Sequence, residues 1–228
     1  IMAKTSKTKS KPRRRRSRRA SLDPMSANFV PVNKGKRYPV EVLTEDEVPR
    51  LIRACSKRAP TGVRNKALIV LLWRGQLRVS EALSLQPKDL DRSSGTVRVL
   101  KGKGKKARVV GLDEGAFAIV ERWLDVRSQR GINGRNKPLF CTLDGEVLDA
   151  SYVRRMLKRM AARAGIEKRV HPHGLRHTGA SELLSEGVDV GVISKQLGHK
   201  SIATTARYLD HISPQRVIDT MRQRSWEL

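Results

Sequence analysis

His171 to His211 reads HPHGLRHTGASELLSEGVDVGVISKQLGHKSIATTARYLDH, and its pattern predicts three short helices. Leu175, Ala180, Leu183 and Leu184 give the first an apolar face, and Gly187 stands where a left-handed C-terminal cap belongs. Val190, Ile193 and Leu197 repeat the pattern ahead of Gly198, and Ser201 is placed to cap a third helix that carries Tyr208. Once the apolar faces are assigned, His173, Arg176, His177, His199 and Tyr208 remain. Singly each reads as an ordinary structural or surface residue. Together they sit at or near helix ends, where backbone N–H groups and side chains can converge on a phosphate.

Composition points to the same ligand. The chain of 228 residues and 25.6 kDa suffices for one well-buried domain with a tail or small appendage. Its 48 Lys and Arg against 22 Asp and Glu give a formal charge of +26, which predicts attraction to a polyanion, nucleic acid ahead of an anionic membrane. No apolar run approaches a membrane span, and the basic, Ser-rich start lacks the apolar core of a secretion signal. Cys55 and Cys141 are far apart and outside any C-x-x-C spacing, so neither a disulfide framework nor a zinc site is expected, and a reducing compartment is. The acids are scattered along helix starts and turns instead of clustered, so no metal and no other cofactor is expected.

Three segments follow along the chain. Residues 1–38 read as a disordered basic arm: up to Val40 there are 13 Lys and Arg and one acid, Asp23, with no apolar periodicity to offset ordering entropy. The run KPRRRRSRR suits sliding along phosphates, and nuclear localisation is a second reading of it. Ile1 precedes Met2, which leaves the natural start open, with Met25 an alternative. Residues 39–212 read as the folded domain. Thr44 and Glu47 form a capping box ahead of Val48, Leu51, Ile52 and Cys55, and Val63 to Trp73 is apolar on nearly all sides and predicts a central buried helix. Arg78 precedes a short helix that Ser80 or a neighbour caps. Thr96–Leu100 and Ala107–Val110 flank KGKGKK as an antiparallel hairpin. A helix from Asp113 and Glu114 buries Phe117, Val120, Trp123 and Leu124, and Pro138–Phe140 adds a short extended piece. The next helix sets a stripe of Val153, Met156, Leu157, Met160 and Ala164 against a basic face of Arg154, Arg155, Lys158 and Arg159, a surface suited to DNA. Residues 213–228 read as a C-terminal helical tail.

The order of motifs in this chain resembles the tyrosine recombinase, or phage integrase, family. The resemblance rests on His173-Gly-Leu-Arg176-His177-Thr178, Leu197-Gly198-His199, Thr204-Thr205 and Tyr208 nine residues after His199, together with Leu77-Arg78-Val79-Ser80-Glu81-Ala82-Leu83 and the lysine hairpin. It spans about residues 40 to 212 and implies an α+β catalytic domain, mostly helical with one small antiparallel sheet. It also implies a catalytic set of Arg78, Lys103, His173, Arg176, His199 and Tyr208. In the family the tyrosine attacks the scissile phosphodiester and forms a 3′-phosphotyrosyl bond without metal or nucleotide. The implied partners are double-stranded DNA and further copies of the chain, a tetramer on DNA, in the cytoplasm at the nucleoid or in a eukaryotic nucleus. Gly75-Gln76-Leu77 departs from the family's usual Thr-Gly-Leu, and the N-terminal helical domain that most members carry has no counterpart here. Lys101, Lys105 and Lys106 compete with Lys103, and Tyr152 is the alternative to Tyr208. Two other functions fit the same motifs: nicking and closing in the manner of a type IB topoisomerase, and architectural DNA binding without catalysis.

Deleting residues 1–37 is expected to weaken DNA binding while leaving the fold intact, because the arm contributes charge and almost no core. The slope of log affinity against log salt becomes shallower in the truncation. An unchanged slope, or loss of the circular dichroism spectrum, contradicts an electrostatic arm.

Overall fold

The helix that begins at Pro60 carries the core. In the computed structural model, which describes residues 41–100, 107–199, 201–209, 218 and 221–225, Ala67 to Leu72 are each at most 1% exposed. Burial of such side chains is worth about 1.5–3 kcal/mol apiece for the larger ones, so a helix that is apolar all round has only one stable place, the middle of the fold. The arm expected at 1–38, Lys103 with the rest of the hairpin turn, and most of the tail expected at 213–228 lie outside the described residues.

Among the described residues the order is α1 (Glu47–Arg53), α2 (Pro60–Trp73), α3 (Val79–Ser84), a short 3-10 turn (Pro87–Asp89), β1 (Leu90–Asp91), β2 (Thr96–Val99), β3 (Arg108–Gly111), α4 (Glu114–Gln129), α5 (Ala150–Arg163), α6 (Pro172–Ser185), α7 (Val190–Leu197) and α8 (Ile202–Leu209). This is the expected mostly helical α+β architecture with one small antiparallel sheet. The capping box ahead of α1 is formed: Thr44 N–H donates to the Glu47 carboxylate at 2.8 Å and Glu47 N–H to Thr44 Oγ1 at 3.3 Å. α2 starts three residues before the expected Val63, with Pro60 in its first turn, where a missing N–H costs nothing.

The sheet is one strand larger than the hairpin read from the sequence. β1 pairs antiparallel with β2 as Leu90 with Val97 and Asp91 with Thr96. Two residues between a 3-10 turn and a Ser-rich turn leave no periodicity from which to read a strand. β2 ends at Val99, and Leu100, expected in the strand, is 52% exposed. Thr96 pairs with Gly111 and Val99 with Arg108, which turns Val97, Val99 and Val110 into the core. β3 is held on its far side by a side chain: Gln196 of α7 accepts from Gly111 N–H at 2.9 Å and donates to Gly111 C=O at 2.8 Å.

Residues 138–140 are a buried connector, with Leu139 N–H bonded to Leu85 C=O at 2.7 Å and Leu139 C=O accepting from the Trp123 indole at 2.8 Å. α5 shows the expected division, with Val153, Met156, Leu157 and Met160 buried and Arg154, Arg155, Lys158 and Arg159 exposed. Cys55 and Cys141 are both buried free thiols, and burial pushes Cys55 up to about 11.

α2 and α6 meet at their backbones. A Cβ on Gly179 would lie 2.1 Å from the Trp73 carbonyl oxygen, so glycine lets α6 cross the C-terminal end of α2 at closest approach. Gly179→Ala gains about 1 kcal/mol of helix propensity, but the obstructing atom belongs to the backbone of the buried helix and cannot swing aside. The overpacking cost of about 1–3 kcal/mol or more wins. The variant is expected to unfold at lower urea with an unchanged m-value, and an unchanged or raised midpoint would show that the crossing is looser than described.

Candidate active site

The turn after α2 begins the site. Gln76 is the one non-glycine residue among those described with positive φ, 49°, and it occupies the position where the resemblance expects glycine. A left-handed residue with a side chain costs about 1–2 kcal/mol. The conformation is held because the Gln76 carbonyl accepts from Arg176 Nη1 at 2.5 Å and Leu77 beyond it is fully buried.

Arg78 follows as the N-cap of α3. Of Ser80 and its neighbours, Glu81 serves at this helix start, its carboxylate accepting the Arg78 backbone N–H at 2.8 Å and the Arg78 guanidinium at 2.9 Å. Glu81 is 1% exposed and serves two further cations. Arg108, the first residue of β3, binds it through both nitrogens at 2.8 and 2.9 Å, and Arg176 Nη1 lies 3.9 Å away. Burial opposes ionisation of Glu81, yet the bonds from Arg108 and Arg78 prevail and bring it down to about 2. Three guanidiniums around one carboxylate leave two positive charges over, held in place by their bonds to it.

α6 supplies Arg176 and His173. His171 caps it, with Nδ1 accepting from Gly174 N–H at 2.8 Å, a role the sequence reading did not assign. Arg176 is 1% exposed and its fork is locked between two backbone carbonyls, Gln76 on one side and Leu197, at 2.6 Å, on the other. His173 is exposed, one turn from His177, whose ring it meets edge to face at 4.5 Å between centroids. Desolvation against the helix, then the charges of Arg176, His171 and Arg78, hold its imidazole below the usual histidine range.

α7 delivers His199. The helix ends on Gly198 at φ 65°, where a Cβ would also lie 2.6 Å from Arg108 Cδ, so backbone and packing both demand glycine. His199 Nε2 is 3.5 Å from Arg176 Nη2, and its Nδ1 is 2.9 Å from the hydroxyl of Thr205, a fully buried residue of α8. Desolvation and the nearby Arg176, Arg78, Arg108 and His173 push His199 down to about 4. Ser201 Oγ accepts Ala203 N–H at 3.2 Å at the start of α8, as expected.

Arg78, His173, Arg176 and His199 therefore come from three separate stretches, the start of α3, α6 and the end of α7, into one cationic centre. Tyr208 lies on α8, in a turn whose side chains are outside the described residues, and Lys103 lies outside them altogether. The alternative tyrosine, Tyr152, is half-buried on α5, its hydroxyl bonded to Arg64 and to Asn65 at 3.3 Å. Arg108, Thr205 and the Gln76 carbonyl were assigned no role from the sequence, and Glu81, which can be read there as an orienting partner of Arg78, was not read as a shared hub. For Arg108 there was a signal, since it stands at a fixed place after the lysine turn in the motif.

Residues 41–214 match the phage integrase family. Tyrosine recombinase XerC of Thermodesulfovibrio yellowstonii is 34% identical over 206 residues, covering 85% of this chain and 68% of that protein. The crystal structure of XerA recombinase superposes with a TM-score of 0.72 at 33% identity, over 86% of this chain and 70% of that one. The XerH site-specific recombinase, solved bound to its palindromic difH substrate in a post-cleavage complex, gives a TM-score of 0.65 at 29% identity, over 81% of this chain and 53% of that one. The chain thus spans between about half and two thirds of the lengths of these proteins.

The lowered pKa of Glu81 has a defined pH consequence. A carboxyl held at about 2 in the fold, against about 4.3 in the unfolded chain, contributes stability that is present above the unfolded value and lost as pH falls toward 2. Urea midpoints of the wild type are expected to fall through this window. Glu81→Gln starts less stable at neutral pH and falls less steeply there, by about one proton's worth of slope. Parallel pH profiles for the two proteins contradict the hub.

Proposed function

Since this chain belongs to the phage integrase family, we propose that it is a site-specific DNA recombinase that cuts and rejoins double-stranded DNA through a 3′-phosphotyrosyl intermediate. The observation that carries the proposal is the gathering of Arg78, Arg108 and Arg176 on the buried Glu81, with His199 against Arg176 and His173 within the field of Arg176 and Arg78, which leaves surplus positive charge at one place. Such a centre suits a group whose negative charge grows during reaction, as the non-bridging oxygens of a phosphodiester do in the pentacoordinate state.

The roles are those that the family resemblance implies, and the chemistry of the residue types supports them. Tyr208 is the nucleophile. A phenol with a pKa of about 10 needs a proton acceptor and nearby cations to attack at neutral pH. His173, held below its ordinary value, is neutral there and accepts that proton. Arg78 and Arg176 brace the phosphate oxygens with forks whose orientation is set in advance by Glu81 and by the Gln76 and Leu197 carbonyls. His199, pushed down to about 4 and so neutral at pH 7, donates a hydrogen bond to the phosphate. Lys103 protonates the departing 5′-oxygen. The covalent bond conserves the energy for rejoining, and the basic face of α5 and the arm at 1–38 hold the duplex. The working assembly is a tetramer on DNA in the cytoplasm, at the nucleoid.

The test uses a nicked duplex carrying the DNA that flanks this gene. Wild type is expected to form a protein–DNA adduct that survives denaturation, and to yield recombinant product when two sites are supplied. Tyr208→Phe binds the duplex with unchanged affinity and forms no adduct. Adduct without recombinant product would indicate nicking and closing instead, and undiminished adduct with Tyr208→Phe would remove Tyr208 from the mechanism.

A further inference from the structure

The second threonine of the Thr204-Thr205 pair has no part in the chemistry above, yet it is fully buried and its hydroxyl lies 2.9 Å from His199 Nδ1. We propose that Thr205 is a positioning residue that sets the tautomer of His199 and reverses its own hydrogen bond when a phosphate engages the ring, an inference that rests on the recombinase reading.

The argument begins with the other ring nitrogen. Nε2 lies 3.5 Å from Arg176 Nη2, and a guanidinium can only donate. In the DNA-free protein Nε2 is therefore the acceptor, and the proton of the neutral ring sits on Nδ1, which donates it to Thr205 Oγ1. This is the reverse of the Nε2–H form that a solvated imidazole favours. To hydrogen-bond a phosphate oxygen, Nε2 must carry the proton. The ring then releases the Nδ1 proton to solvent and takes one up at Nε2, with no net change in protonation, and Nδ1 becomes an acceptor.

Its partner must be able to accept in the first state and donate in the second without moving. A hydroxyl does this by rotating about one bond. A carbonyl or carboxylate in its place would hold the first state, and a backbone N–H the second. The same bond ties α8 to the end of α7, because Thr205 belongs to the helix that carries Tyr208 one turn later. Seating of α8 and the hydrogen-bonding state of His199 are thus coupled through one hydroxyl.

The experiment compares wild type, Thr205→Val and Thr205→Ser as full chains, with histidine labelled by nitrogen-15 and His199 assigned by its loss in His199→Gln. Without DNA, the wild type and Thr205→Ser are expected to show His199 protonated on Nδ1, whereas Thr205→Val, which cannot accept, moves the proton to Nε2. With the nicked duplex, Thr205→Val is expected to form adduct about 10–100-fold more slowly, the usual worth of an orienting partner of a functional imidazole. DNA affinity is unchanged, and Thr205→Ser restores the rate. An unaltered tautomer in Thr205→Val overturns the proposal, as does an altered tautomer with an unaltered adduct rate. If Thr205→Val fails to fold, Thr205→Ala reads the same two quantities. Should wild type form no adduct, the recombinase reading has failed, while the nitrogen spectra alone still decide whether Thr205 sets the tautomer.

Discussion

A buried carboxylate holds three parts of this fold in register. Glu81 ties the start of α3, the start of β3 and the middle of α6 through Arg78, Arg108 and Arg176. An ion withdrawn from water costs several kcal/mol unless its lone pairs are filled, and here both oxygens receive charged donors, so the cost of breaking any one link exceeds what the pair gained by forming. The arrangement resists gradual distortion. Either all three elements are in place or the carboxylate is stranded.

The same crowding explains why the imidazoles stay neutral. Desolvation first, and then repulsion from the fixed guanidiniums around them, keep His173 and His199 from taking up a proton at neutral pH. Arginine supplies the permanent charge and histidine the exchangeable hydrogen bonds. In a protein of +26 formal charge, that separation lets a site bind an anion strongly without surrendering its acid–base groups to the same field.

Much of this was legible in the chain. The apolar run in α2, the Thr44–Glu47 capping box, the Gly198 cap and the two-sided pattern of α5 each follow from a local rule, and each stands where the rule puts it. The four described residues of the expected catalytic set were chosen by motif order, and the structure brings them near one another. What could not be read depends on partners distant in sequence. β1 exists because β2 lies beside it, and the Arg108–Glu81 pair joins residues 27 apart. Thr205 looks like any helical threonine until His199 is seen against it. Gln76 inverts a rule outright, since its left-handed turn is dictated by Arg176, a hundred residues away, and by the burial of Leu77.

The amide of Gln196 on Gly111 bears on how the sheet ends. β3 is an outer strand, and an outer strand offers unpaired N–H and C=O groups to any other chain of like kind. Gln196 meets Gly111 with the donor and acceptor of a peptide group, so it imitates the next strand for one residue and then ends it. The opposite edge, β1, is only two residues long. Among the described residues neither margin of the sheet is therefore a long open edge: one is closed at Gly111 by a side chain, and the other stops after two residues.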